Sequence, residues 1–491
     1  MNLEELLKKS SIDAVTLPPE NPQITGVSYN SKKIKKSALF FAVKGANFNG
    51  EDFAGEAMNK GAAAAVCERT LDCRLPQVIV KDVKTAMAHI SEAFYGFPSK
   101  VMDVIGITGT NGKTTITYFL EKISEAAGIK SAVFGTVNYR WDGKTINLPN
   151  TTAESADLSK YLAEAQKSGV KKVFFEASSQ GLDRKCCEAL TFRGCVFTNL
   201  TREHLDWHGT FENYAKAKSR LFEILSKNFK EEPLAVINAD SIWSPKITRD
   251  IPLKTVTYGL SKKADYSAVI LSSDSEGTAF LVKHGTEQEK VLIRMPGLFN
   301  VSNALASFAL ARETGIDVKD IKAGMANVTD VPGRLTKITS RRDFTVYVDY
   351  AHTPDALKNV LKTLKTFCVG RLIVVFGAGG NRDRAKRPEM GEAASRGADF
   401  VWLTSDNPRH EKPEDIILDI EVGCRKIAPE NFKVEIDRAE AIRNALKMAE
   451  KGDIILLAGK GHENYQIFGD EKKPYSDIET VKEILGEIEK T

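Results

Sequence analysis

Gly106-Ile-Thr-Gly-Thr-Asn-Gly-Lys-Thr-Thr115 follows a short apolar run at 104–108 and opens a helical stretch from 113 to about 127. Glycines let backbone N–H groups converge on one point, and a helix N-terminus adds its positive dipole end there. That combination cradles phosphate oxygens. Lys113 would then reach the β- and γ-phosphates of ATP, and the Thr114 hydroxyl would ligate Mg2+. The spacing departs from GxxxxGKT in one place, since Ile107 stands where the first glycine belongs. Gly109, Thr110, Asn111, Gly112, Lys113, Thr114 and Thr115 are the expected ATP contacts. A glycine turn with an incidental Lys-Thr would need neither the strand before nor the helix after.

Other residues carry chemistry less specifically. Glu176 closes the apolar run 172–177, where a carboxylate opposite a phosphate loop is placed to hold Mg2+. On pattern alone a solvated strand-end acid reads equally well. His204 and His208 lie four apart, a zinc spacing on a helix, but no third ligand at helical spacing accompanies them. Lys218 reads by itself as a solvent-facing helical lysine, and an ammonium is never a metal ligand. Gly377-Ala-Gly-Gly-Asn-Arg-Asp-Arg-Ala-Lys-Arg-Pro388 and Ser405-Asp-Asn-Pro-Arg409 both follow strand-like runs. Asp-Asn-Pro-Arg alone is an ordinary turn, but its guanidinium can clamp a carboxylate bidentately.

The elements that must position these groups suit a soluble multidomain chain. At 491 residues, three domains are expected from size. With 42% hydrophobic and 27% charged residues, disorder and collagen-like repetition are excluded. Lys plus Arg is 69 against 65 for Asp plus Glu, too mild an excess for a nucleic-acid binder driven by bulk charge. The seven cysteines form no CxxC pair and are an odd number, which points to reduced thiols in the cytoplasm. MNLEELLKKS is no signal peptide, and no apolar run is long enough to insert in a membrane. Strand-like runs at 24–27, 38–43, 62–66 and 77–80 end at a hinge, Tyr95-Gly-Phe-Pro98. Runs at 172–177, 194–199 and 234–238 join 104–108, and a Pro-Gly turn at Val331-Pro-Gly-Arg334 precedes runs at 345–349, 371–377, 400–404 and 453–458. The expected fold is α/β in three domains: a small α/β unit at 1–98, a central phosphate-loop ATPase domain with a mainly parallel sheet at 99–332, and a Rossmann-like domain at 333–491.

Several further stretches occur in a telling order. They are Glu176-Ala-Ser-Ser-Gln-Gly-Leu182, Thr198-Asn-Leu-Thr-Arg-Glu-His-Leu-Asp-Trp-His-Gly209, Asn213-Tyr-Ala-Lys-Ala-Lys218, Pro296-Gly-Leu-Phe-Asn-Val-Ser-Asn303 and Asp349-Tyr-Ala-His-Thr-Pro-Asp-Ala356. With the loop TGTNGKTT, they resemble the Mur ligase family, ATP-dependent amide-forming enzymes of peptidoglycan precursor synthesis. Folylpolyglutamate synthases share the loop but lack the first-domain and Asp-Asn-Pro-Arg features present here. The resemblance implies Lys113, Glu176, His204 and Lys218 as catalytic residues. It further implies two Mg2+ ions held by Thr114, Glu176, His204 and a carbamylated Lys218, with Asn300 and Arg334 at the nucleotide.

Asn30-Ser-Lys-Lys-Ile-Lys-Lys-Ser-Ala-Leu-Phe-Phe-Ala-Val-Lys-Gly45 is similar to the uridine-nucleotide segment of the members that add the third peptide residue. This implies Tyr29, Ser31, Ala46, Asn47 and Phe48 as contacts, with Asn150, Thr151, Thr152, Ser178 and Arg184 on the sugar-peptide. Arg382, Asp406, Asn407, Pro408, Arg409, Gly459 and Glu463 match the amino-acid positions. Arginine in Asp-Asn-Pro-Arg favours meso-diaminopimelate, which has a carboxylate that L-lysine lacks. The implied reaction phosphorylates the D-glutamate γ-carboxylate of UDP-N-acetylmuramoyl-L-alanyl-D-glutamate, and the amine of meso-diaminopimelate then displaces phosphate. A monomer with small-molecule substrates is expected; a lysine-adding ligase or a degenerate ATP-binding relative without activity are the alternatives. Several positions depart from the family pattern: Asn30 and Lys32 for Asp and Arg and Ser37-Ala38 for Gly-Asp in the first domain, and Gln180 for His, Cys186 for Arg, Glu203 for Asp and Thr336 for Glu beyond it. Arg184, two residues before Cys186, can supply the missing cation.

Overall fold

A computed structural model describes residues 1–45, 48–248, 253–261 and 263–489. Each of its three domains is built on its own sheet, with helices packed against it. In the first, the helix Leu3–Ser10 buries Leu3, Leu6 and Leu7, the i, i+3, i+4 stripe of an amphipathic helix, and Asn2 caps it by accepting from the Glu5 N–H. The five strands of that domain run in the order Ala14–Thr16, Gln77–Val80, Ala62–Cys67, Ala38–Phe41, Gly26–Ser28.

The central sheet explains where chemistry can gather. Its parallel core runs in the order Lys254–Gly259, Phe229–Asn238, Phe192–Phe197, Asp103–Thr108, Lys172–Glu176, Ser131–Phe134. The inner strands of this core are short apolar runs because helices cover both faces. Asp103–Thr108 pairs on one side with Lys172–Glu176 and on the other with Phe192–Phe197, so the chain leaves it at a switch point. Crevices at the carboxyl ends of such strands take ligands. Register puts Glu176 beside Ile107 and Phe197 beside Thr108, so the phosphate loop, Glu176 and Thr198 share one edge. The sheet is extended at one side by the antiparallel strands Tyr139–Trp141 and Lys144–Ile146; at the other, Tyr266–Asp274 adds in parallel to Lys254–Gly259, and Gly277–His284 and Glu287–Ile293 follow antiparallel.

The third sheet has the order Thr336–Thr339, Thr345–Asp349, Ile454–Ala458, Leu372–Phe376, Phe400–Leu403, Phe432–Val434, parallel except at its first strand. Helices Arg438–Met448 and Asp477–Ile488 are joined by a fully buried ion pair, Arg438 with Asp477 (2.7 Å). Among the described residues, no helix is long and apolar enough to cross a membrane.

Candidate functional site

A cavity of about 350 Å³ opens between the phosphate loop and the first elements of the C-terminal domain. Residues 110–115 line it, and Arg334 and Tyr350 enter from the opposite wall. The loop can pass so close to its neighbours only through glycine. Gly112 has φ +93°, and a Cβ there would drive into Asn303 Oδ1. The Asn111 N–H is spent on Asn199 Oδ1 (2.9 Å), and Thr110 Oγ1 lies 3.1 Å from the Tyr214 hydroxyl. Lys113 Nζ folds back to donate to the carbonyls of Gly109 and Thr110, both at 2.9 Å, and burial pushes its pKa down. Arg334 Nη2 reaches Thr114 Oγ1 at 3.4 Å and stacks over Tyr350.

Glu176 faces that loop. Its carboxylate accepts from Thr114 Oγ1 (3.0 Å), Thr136 Oγ1 (2.8 Å) and the Thr136 N–H (3.0 Å). Thr136 had no signal in the sequence, because it acts through a partner 40 positions away. Mg2+ takes oxygen ligands and commonly keeps waters, with one or two carboxylates and substrate phosphates completing its shell. The Thr114 hydroxyl and the Glu176 carboxylate fit that chemistry. Among the described residues, no group of three His, Cys, Asp or Glu side chains is placed to hold a metal without such help.

Lys218 corrects the solvent-facing reading of its helix. It is buried, its Nζ donates to Gly109 O (2.8 Å), and it lies over the Tyr214 ring. Two lysines thus meet at one carbonyl. Burial, with Lys113 adding to it, pushes Lys218 well below the usual lysine range. His204 lines the same cavity from a left-handed turn (φ +55°), and burial pushes it down to about 4, which leaves the imidazole neutral. Glu203 next to it is ionised: against burial, His204, His352 and Lys113 hold it well below the usual carboxylate range. His208 is turned away toward Ser179 Oγ (3.0 Å).

The expected nucleotide contact at Asn300 is not where the cavity is. Asn300 is buried and donates to Pro296 O (2.8 Å), while Asn303, one helical turn on, lines the cavity at Gly112. Of the expected sugar-peptide residues, Asn150, Thr151, Ser178 and Arg184 line the cavity. Thr152 supports them from behind, sharing a hydrogen bond with Ser178 Oγ (2.9 Å). Arg184 pairs with Glu154 (3.2 Å), and Gln180 lines the same wall. Cys186 is buried beneath, against Glu154 Oε2. Thr336 Oγ1 accepts from the Gly333 N–H (3.3 Å) and donates to Asp330.

The expected uridine-nucleotide contacts of the first domain that the structure describes lie away from this cavity. Ser31 is buried and donates to Glu56 (2.6 Å), and Tyr29 donates to Asp157 (2.7 Å), so neither lines the cavity. Phe48 is exposed. Ala46 and Asn47 lie outside the described residues.

The amino-acid positions form a second cluster. Lys460, fully buried, donates to Asn407 Oδ1 (2.9 Å) and Glu463 Oε2 (2.7 Å) and lies 3.8 Å from Asp406. Asn407 Nδ2 donates to Glu463 as well (3.0 Å), and Gly459 gives Asp406 room that a Cβ would occupy. Pro408 carries the chain into Arg409, whose φ is +53° and whose Nη1 donates to Gly380 O (2.9 Å). Arg382 lines the main cavity and is near enough to help burial lower the pKa of Arg409. The cluster therefore joins two carboxylates, one buried lysine and two arginines, a set suited to a zwitterion with a further carboxylate.

Comparison with known proteins agrees with this geometry. Three domain models match in order: "Mur ligase family, catalytic domain" at 23–95, "Mur ligase middle domain" at 107–311, and "Mur ligase, glutamate ligase domain" at 333–461. The chain is 42% identical over 492 residues to a UDP-N-acetylmuramoyl-L-alanyl-D-glutamate–2,6-diaminopimelate ligase of Caldanaerobacter subterraneus subsp. tengcongensis, covering 100% of both. A solved structure of a ligase of that name is 33% identical with a TM-score of 0.70, covering 99% of each chain. The ligase of Thermotoga maritima solved as MurF in complex with ADP shares the fold at 22% identity, with a TM-score of 0.65 over 95% of this chain and 98% of that one. Carrying all three domain models in order and aligning with such relatives from end to end, the chain belongs to the Mur ligase family of ATP-dependent ligases.

Proposed function

We propose that this protein joins meso-diaminopimelate to the D-glutamate of UDP-N-acetylmuramoyl-L-alanyl-D-glutamate, spending ATP, in peptidoglycan precursor synthesis. The observation that carries the reading is one cavity with two unlike walls. The central domain offers phosphate-binding amides, Lys113 and Glu176; the C-terminal domain, from about 333, offers Arg334 and, at Arg382, the edge of a carboxylate-binding cluster. A single chain supplies both walls, which supports a monomer, and all seven cysteines are free thiols, which supports the cytoplasm.

In this reading the loop amides and Lys113 hold the triphosphate. Thr114 and Glu176 would hold Mg2+, which when bound offsets charge on the transferring phosphoryl oxygens. Lys218, whose pKa burial lowers, would add CO2: its nitrogen bonds the carbon, a proton leaves, and the anionic oxygen donor so formed would, with His204, hold a second ion. The γ-carboxylate of the substrate attacks the γ-phosphorus, ADP departs, and an acyl phosphate forms. Arg334 supplies positive charge as that transfer proceeds. The amine of meso-diaminopimelate then attacks the acyl carbon and phosphate leaves, with the two domains excluding water from the acyl phosphate. Arg184 replaces, from two positions earlier, the cation that Cys186 cannot provide.

The test is phosphate release and product mass with ATP, Mg2+ and the UDP-dipeptide, comparing meso-diaminopimelate, L-lysine and no amino acid. A diaminopimelate adduct is expected. A lysine adduct would keep the ligase and overturn the selectivity, and nucleotide binding without either adduct would overturn the activity.

A further inference from the structure

Four consecutive residues, 201–204, bridge the phosphate loop and the C-terminal domain beside Arg382. On one side, the Thr201 N–H donates to Thr110 Oγ1 (3.0 Å), a side chain of the phosphate loop. On the other, Arg202 reaches across to the C-terminal domain: Nε donates to Asp383 Oδ2 (3.0 Å) and Nη1 to Glu389 Oε1 (2.9 Å). Glu203 Oε1 lies 2.6 Å from His352 Nε2, and Lys386 Nζ donates to His352 O (2.9 Å), which ties the same loop to that contact. Asp383 directly follows Arg382, and its side chain is 12% exposed, so this pair is better shielded than a surface ion pair. The two carboxylates are met by different nitrogens of one planar fork, a geometry lysine cannot copy.

We infer that Arg202 is a positioning residue that couples the two sites: it holds the Arg382 loop against the segment that carries His204, so that nucleotide on the phosphate loop favours the arrangement accepting the amino acid. This rests on the ligase reading above and deepens it. The anchor of the segment is Thr110, inside the loop that takes the phosphates, so occupancy acts on one end of a tether whose other end is Asp383. A coupling of this kind is reciprocal, and each ligand tightens the other by the same factor.

Calorimetric titration of meso-diaminopimelate, with and without a non-hydrolysable ATP analogue and the UDP-dipeptide, tests it in wild type, Arg202→Met, Arg202→Lys, Asp383→Asn and the Met/Asn double variant. In wild type the nucleotide should tighten the amino acid by about fivefold or more. In Arg202→Met that ratio should approach one while affinity for the ATP analogue stays within about twofold. KM for diaminopimelate should rise more than kcat falls, and Arg202→Lys should restore part of the ratio. The double variant should be no worse than Arg202→Met, because both changes break one contact. An unchanged ratio and KM in Arg202→Met would overturn the inference, as would strict additivity in the double variant. If Arg202→Met does not fold, Asp383→Asn reads the same contact from the other side. Failure of the ligase reading looks different: wild type itself would form no adduct with either amino acid, and the inference would fall with it.

Discussion

Replacing Arg409 should change which amino acid is used more than how fast the protein works. Its Nη1 is committed to Gly380 O (2.9 Å) and, more loosely, Asn407 O (3.4 Å), neither of them a carboxylate. Among the described residues Nε and Nη2 have no such partner, and they form the parallel pair of donors that a carboxylate meets bidentately. Hydrogen bonds to charged groups contribute about 1.5–3 kcal/mol each, and two to one carboxylate do not add fully, so about 3 kcal/mol is a fair figure for the clamp. At 1.4 kcal/mol per factor of ten, Arg409→Met should lower kcat/KM for meso-diaminopimelate by roughly 10²-fold. L-Lysine has no carboxylate at that end and should change by less than about threefold, since no charged hydrogen bond is lost. The substitution also leaves two carbonyls with a lost partner, so Arg409→Lys serves as the control: it keeps the charge, loses the fork, and should fall between. The assay is initial-rate phosphate release at varied concentrations of each amino acid, with ATP and UDP-dipeptide saturating. Equal losses for both amino acids would refute the reasoning and make Arg409 a scaffold for the Gly380 turn. The carboxylate would then fall to Arg382.

Three other outcomes follow from the geometry. Gly112→Ala forces a side chain onto φ +93° and into Asn303, so affinity for an ATP analogue should drop by about ten- to a hundredfold; unchanged affinity in a fluorescence titration would remove the loop from the nucleotide site. Asp477→Asn leaves the fully buried Arg438 unpaired and should cost about 3–5 kcal/mol, read by urea unfolding, whereas Arg438→Met with Asp477→Leu should recover much of it. His204 and His462 are both pushed down to about 4 from 6.5 by burial, so the folded protein binds fewer protons than the unfolded chain between those values. Stability should therefore fall as pH drops through that window. Glu92, raised by burial from 4.5 to about 6, works in the opposite sense, so Glu92→Gln should steepen the fall; parallel urea-midpoint profiles for the two proteins would contradict this.

What could be read from the sequence was what is local. The phosphate loop needs a strand, two glycines, a lysine and a helix within a dozen residues, and each leaves its mark in the chain. Most of the expected parallel strands were legible to within about two residues, because a strand covered on both faces is a continuous apolar run, but Phe229–Asn238 begins five residues before its expected run, and Ser131–Phe134, Lys254–Gly259 and Phe432–Val434 were not foreseen. The strands at 266–293 were missed although 268–271 is a continuous apolar run, and Tyr266–Asp274 is largely exposed beyond its first residues, so that run does not mark a strand covered on both faces. Asn300 and Asn303 show the limit more sharply. Both sit on the helix Leu298–Glu313, one turn apart, and the pattern around them is the same. Only the placement of that helix against Gly112 separates the asparagine that meets the loop from the one that braces Pro296.

Long-range partners explain most of what remained hidden. Thr136 on Glu176, Lys460 on Asn407 and Arg202 on Asp383 join positions 40, 53 and 181 apart, and no local spacing records such contacts. Lys218 is the instructive case, because its helix offers the right period for a buried face yet a lysine there argues for solvent. The structure buries it against Gly109 O, where a second lysine already stands, an arrangement unfavourable for two ammonium ions, and burial together with Lys113 pushes Lys218 well below the usual lysine range. The same logic bears on Cys186. A buried thiol cannot replace an arginine, but Arg184, two positions earlier, lies on the cavity wall beside Glu154, so a cation still lines that wall. A cavity that must bind an anion constrains the field at its wall more tightly than the sequence position that supplies it.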